Sequence, residues 1–230
     1  MSIVQKKFKV KMSRQTRELF VPTAKIIDGV FRESNKTYDS SKINRVALVN
    51  RLIYLLGFEY YSTVLEGYAS SNLLTISAAT RAAIENLADY EFIFKDPDKF
   101  NQRAMRYNGR AGLLRKQIES SVGNLDVKAV NTWTSSNISN RVALLGDGLE
   151  EKYDHLSYFV HPSPASIEYT NQESFMTSQV NNTIELAGYV TLRLINEMHR
   201  TTSFKCVEKK EIVRIIKIYQ KLNKSRDISK

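Results

Sequence analysis

The chain has 230 residues, 42% of them hydrophobic, and a formal net charge of +10. That length suffices to bury a core in one domain, and nine glycines with four prolines are too few to punctuate the many short strands of a sandwich or barrel. A single cysteine, Cys206, excludes an internal disulfide framework and any cysteine-rich zinc site, and fits a reducing cytoplasm.

The charge is unevenly spread. Residues 1–25 carry seven Lys/Arg against one acid and residues 205–230 carry nine against three, so the two ends supply +12 and the middle −2. Such ends suit an anionic partner, either nucleic acid or an acidic surface, or serve only solubility. The division implied is a basic amino-terminal arm over 1–12, a helical bundle over 13–204, and a basic carboxy-terminal helix and tail over 205–230. The amino end is basic without the apolar run of a signal peptide. The longest apolar run, Leu52 to Phe58, is far short of a membrane span.

In chain order, Ser13 is placed to cap a helix running to about Ser34, which Pro22 should kink or divide. After a polar stretch at 35–41, Ile43, Val46, Ala47, Leu52, Ile53, Leu56, Tyr60 and Val64 predict a long helix, apolar nearly all round and so suited to the middle of a bundle. A break near Ala69 to Ser71 precedes a third helix from about Asn72 to Phe94, stopped by Asp96-Pro97. A fourth, from about Pro97 to Ser121, carries an apolar stripe through Phe100, Ala104, Tyr107, Ala111, Leu114 and Ile118. Lys99, Arg103, Arg106 and Arg110 form a second stripe at spacings of four, three and four, predicting a shared exposed face that follows a phosphate backbone or meets only water.

Short helices are predicted at 125–133 and 138–145, and Asp147 with Glu150 reads as a capping pair for the next helix. That helix leads into Tyr153 to Pro164, which holds two of the three histidines and two of the four prolines. Leu149, Tyr153, Leu156 and Val160 form its apolar stripe, with Asp154, Ser157, Tyr158 and His161 on a neighbouring face. Pro162 disfavours the α conformation at His161, so the helix should stop there with the imidazole at a boundary. A loop over 162–173 leads to a long helix from about Phe175 to Thr202. The last helix, about Val207 to Asn223, has Ile212, Ile215, Ile216, Tyr219 and Leu222 on one side and Lys210, Arg214, Lys217, Lys221 and Lys224 on the other.

On the third helix Arg81 and Glu85 project four residues apart from an apolar neighbourhood of Leu74, Ala78, Ile84, Ala88 and Phe92. Burying them costs desolvation, so they need partners. They read either as a satisfied core ion pair or as half of a site in which Arg81, Glu85, Asp154, His155 and His161 converge and a histidine acts as acid or base.

Arg-Ala-Ala-Ile-Glu-Asn-Leu-Ala-Asp at 81–89, with Tyr-Asp-His-Leu-Ser-Tyr-Phe-Val-His-Pro-Ser at 153–163, resembles an uncharacterised family of bacterial all-helical proteins. There an Arg-x-x-x-Glu helix is followed by one closing in Ser-x-x-Val-His-Pro. The resemblance spans about 43–200 and leaves the basic ends outside it. More distantly the chain is similar to HEPN proteins, helical bundles of toxin–antitoxin, abortive-infection and CRISPR-associated systems. Many of these are metal-independent ribonucleases that dimerise to unite two Arg-x4-6-His motifs. The resemblance implies that His161 serves as acid or base on a ribose 2′-hydroxyl. The position of the motif arginine falls on Asp154, His155 or Leu156, so the charge would come from a protonated His155 or from Arg81 on the other helix.

Other chemistries fit less well. Ser157, His161 and Asp154 lie on or at the end of one short helix without a Gly-x-Ser-x-Gly elbow. His155, His161, Asp154 and Glu85 match no standard metal spacing, and no glycine-rich phosphate loop occurs. The expectation is an all-α, HEPN-like bundle of about six to eight helices, cytoplasmic and oligomeric, without metal or cofactor. It would act on RNA, alone or with an antitoxin or defence-system protein. The alternatives are a non-enzymatic interaction protein in which the histidine motif is structural, and then a peripheral membrane protein using its basic last helix.

Overall fold

The computed structural model describes residues 10–36, 45–109, 134, 136–161, 172–201 and 209–227. Eight helices occur among them: α1 (Arg14–Lys36), α2 (Arg45–Ala69), α3 (Leu73–Phe94), α4 (helical over 100–109), α5 (Ile138–Ala143), α6 (Leu149–Val160), α7 (Glu173–Thr201) and α8 (Lys209–Asp227). No strand is found among the described residues, so the protein is the all-α bundle its periodicities require. The helix expected at 125–133, with Trp133, the second half of the fourth helix, with Arg110, most of the loop after His161, and Cys206 lie outside the described residues.

Local chemistry accounts for the helix ends. Ser13 Oγ accepts the Thr16 amide at 3.0 Å, and the Ser13 carbonyl accepts the Arg17 amide at 2.9 Å, so α1 begins where a capping serine places it. Pro22 does not divide α1, which runs through it without a break. The carbonyl that Pro22 leaves without a donor belongs to the exposed Glu18, where water can serve it. Between α2 and α3 the Asn72 amide donates to the Gly67 carbonyl at 2.8 Å, and Asn72 Oδ1 accepts the Thr75 amide at 3.1 Å. A Cβ on Gly67 would lie 2.8 Å from Ile76 Cγ1 and 3.2 Å from its backbone nitrogen, so only glycine permits this close a hairpin. At the end of α6, His161 has φ −104° and ψ 96°, the extended conformation that a following proline demands.

The centre of the bundle is α3, not α2. α3 packs against α2, α5, α6 and α7, burying Ile76, Ile84, Leu87, Ala88, Tyr90 and Ile93 almost completely. α2 covers one side of α3 and α7, leaving Leu55, Glu59 and Glu66 in solvent; its all-round hydrophobicity overstated its burial. α7 is the second central element, with α1, α2, α3 and α8 against it. The basic α8 belongs to the bundle: Ile212, Ile215 and Tyr219 enter the main core, each at 3% exposure or less. Each aliphatic side chain so buried contributes about 1.5–3 kcal/mol. The end of the amino arm is likewise docked, for Val10 is buried against Val64, Leu73 and Ile76, and its amide donates to Ser71 Oγ at 3.2 Å.

Candidate functional site

The antiparallel contact of α3 with α6 brings Arg81, Glu85, Tyr153 and His161 together. Arg81 Nη2 donates to the Tyr153 hydroxyl at 2.8 Å, and that hydroxyl donates to Glu85 Oε1 at 2.8 Å. Arg81 Nε lies 3.5 Å from the same carboxylate oxygen, and the guanidinium carbon stands 4.6 Å from the centre of the Tyr153 ring. Arg81 Nη1 is 3.2 Å from His161 Nε2. A guanidinium only donates, so Nε2 accepts this bond and the imidazole proton sits on Nδ1. Burial raises the Tyr153 phenol above its ordinary range; the bond from Arg81 opposes this shift and Glu85 adds to it. The phenol therefore stays protonated as the link between the two charges.

This arrangement is held at its inner end and open at its outer one. Tyr153 is buried, the Arg81 and Glu85 side chains are 24% and 39% exposed, and His161 is exposed. Beyond His161 along α3, Leu74 and Ala78 are exposed, so the apolar neighbourhood expected around Arg81 is buried only on its Ile84 and Ala88 side. Tyr158, on the outer face of α6, is 68% exposed.

Two residues expected at the site lie elsewhere. His155 turns toward α7, where its Nε2 is 3.1 Å from Gln179 Oε1 and its ring meets Phe159 edge-on at 5.2 Å. It stands six residues before His161, a third of a turn away on a helix, so the two cannot share a direction. Asp154 is exposed on the outer face. It would share a helical row with His161, but the extended backbone at 161 takes the imidazole out of that row and over to Arg81. Ser157 Oγ donates to the Tyr153 carbonyl at 3.0 Å, and so does not point to the imidazole as a triad requires.

The basic stripe is not uniformly exposed. Arg103 folds back to donate to the Phe92 carbonyl, its guanidinium 4.2 Å from that ring's centre, while Lys99 lies 3.4 Å from Asp96. Arg106 remains exposed.

Two ion-paired clusters were not expected from the sequence. Arg141 on α5 donates to Asp89 on α3 at 2.9 Å, with the side chains 6% and 8% exposed. On α7, Arg193 donates to Glu91 at 2.6 Å, to the Leu145 carbonyl at 2.8 Å and to Asp147 at 3.3 Å. Asp147 also accepts a short bond from the Tyr189 hydroxyl and one of 3.2 Å from Gln220 on α8. The expected capping role of Asp147 therefore fails: the N-cap of α6 is Gly148, left-handed at φ 66°, with no side-chain cap. Burial and the Asp147 bond push the Tyr189 phenol up to about 12. Burial disfavours charge on Arg193, but Glu91 and Tyr189 outweigh it and the guanidinium is raised, while burial lifts Glu91 despite Arg193 beside it. These clusters lock helices together, the Asp89–Arg141 pair away from water and the Arg193 cluster with Asp147 at its exposed edge.

Among the described residues no group of three or more His, Cys, Asp and Glu lies close enough to hold a metal ion. No described helix is long and apolar enough to cross a membrane. Against protein-family models, curated proteins and solved structures, the chain has no match.

Proposed function

We propose that the Arg81–His161 pair is an RNA phosphodiester site, with Arg81 holding the phosphate and His161 acting as the base of a metal-independent cleavage. The observation that carries this reading is the 3.2 Å approach of a braced guanidinium to an imidazole at an open helix end. Tyr153, by a hydrogen bond, and Glu85, by an ion pair at 3.5 Å, hold the guanidinium from within, yet Nη1 and Nη2 each retain a second hydrogen for an incoming anion. Exposed Tyr158 offers an aromatic face of the kind on which unpaired bases stack.

In the proposed step the ribose 2′-oxygen bonds to phosphorus as the bond from phosphorus to the 5′-oxygen breaks. The 2′-hydroxyl proton passes to His161 Nε2 once the phosphate has drawn Arg81 off it, and water protonates the departing 5′-oxygen. The products are a 2′,3′-cyclic phosphate and a 5′-hydroxyl.

The test is incubation of labelled single-stranded RNA with the protein in a chelator. Wild type should yield cyclic-phosphate ends, His161→Ala should lose at least about a hundredfold in rate, and Arg81→Lys should weaken RNA binding while still folding. Absence of cleavage by wild type, or equal cleavage by His161→Ala, removes the catalytic reading. Unfolding of His161→Ala would place the histidine in the scaffold instead.

A further inference from the structure

A cavity of about 330 Å³ lies between α1 and α8, far along the chain from the Arg81 cluster. Its floor is aliphatic, with buried Leu19 and Ile215 at the bottom and Pro22, Ile218 and Leu222 above them, and Gln15, Glu18 and Arg214 complete the lining. Helical spacing sets a charged row beside it, since Lys210, Arg214, Lys217 and Lys221 recur at four, three and four along α8. The acids at the rim are already engaged: Glu18 pairs with Arg14 at 2.9 Å, and Glu211 makes a close pair with Arg214. Lys210, Lys217 and Lys221 are exposed, with no acidic partner among the described residues.

We infer that this groove receives an acidic amphipathic helix from a partner protein, its apolar side chains seated between α1 and α8 and its carboxylates along the lysine row. The volume is at the lower end of the ~300–1,000 Å³ typical of ligand sites. It suits a few anchors at i, i+3 and i+7 better than a large ligand. A nucleic-acid backbone would satisfy the lysines but leave the aliphatic floor unfilled, and the lining includes no aromatic ring for a base to stack on. A membrane surface would need the aliphatic groups to project outward, whereas these line a concavity. The inference is independent of the Arg81–His161 proposal, because no residue is shared.

A panel of fluorescent synthetic helical peptides, with leucines on one face and glutamates flanking them, provides the probe. Three results are expected together. Full-length wild type binds, Lys217→Glu/Lys221→Glu binds about tenfold or more weakly, and Ile218→Gln weakens binding of the same peptides while the protein melts cooperatively. Methyl signals of Ile215 and Ile218 should shift on titration. Failure of every peptide to bind overturns the inference. So does equal binding of peptides whose leucines are replaced by glutamine, or full competition by single-stranded RNA, since either would make the row a nonspecific anion surface. Ribonuclease activity unchanged in Lys217→Glu/Lys221→Glu keeps this result separate from the Arg81–His161 site.

Discussion

At Asp89 and Arg141 two opposite charges sit 2.9 Å apart with almost no contact with water, each neutralising the other. Desolvation offsets much of their attraction, so the pair adds little net stability, yet breaking it leaves a buried charge. Asp89→Ala should therefore destabilise the fold by about 3–5 kcal/mol, and adding Arg141→Met should recover much of that loss. Urea denaturation of the single and double variants checks this; a double variant as unstable as Asp89→Ala would show that Arg141 packs in a way no aliphatic chain can replace. Tyr153 illustrates a different point at this scale. Its place in the apolar stripe of α6 was legible from spacing, and its ring is indeed buried. Its hydroxyl was not legible as the link between Arg81 and Glu85, because one side chain serves both the core and its polar edge.

Among the elements, the α2–α3 hairpin shows what a sequence discloses well. The break at Ala69 to Ser71, the helix start near Asn72 and the stop beyond Phe94 all follow from local chemistry and appear where it places them, while the capping bond of Asn72 is added by the structure. Gly67 within α2 is harder to interpret, since glycine in a helix reads as a weakness until Ile76 is seen against it. Gly67→Ala should gain up to about 1 kcal/mol in helix propensity and lose about 1–3 kcal/mol through overpacking against the start of α3. A net fall in melting temperature is expected, and a rise would show that the hairpin has room to spread. Arg103 on the basic face of α4 and the supposed cap at Asp147 were misread for a shared reason. Arg103 and Asp147 each satisfy local spacing rules, but their partners, Phe92 on α3 and Tyr189 and Arg193 on α7, become available only when helices pack.

For the whole molecule, the buried phenols set how the fold responds to alkali. Burial raises Tyr61, Tyr153, Tyr189 and Tyr219 above the ordinary 10.0, to about 12 for Tyr189. A raised folded-state value means that the unfolded chain releases these protons first, so their stabilising effect is complete below pH 10.0 and is lost as pH rises through the folded values. Melting temperature should accordingly fall above that point, and less steeply in Tyr61→Phe, whose neutral-pH stability should stay within about 1 kcal/mol because the Tyr61 hydroxyl is buried without a hydrogen-bond partner among the described residues. Identical alkaline profiles for the two proteins would contradict this. The central position of α3 also bears on how the chain emerges during synthesis. Its first partner, α2, precedes it directly, but Arg141 and Arg193, which neutralise Asp89 and Glu91, follow 52 and 102 residues later. Until they are made, those two arginines cannot neutralise the carboxylates, so the face of α3 that carries Asp89 and Glu91 is sealed only after α5 and α7 have emerged.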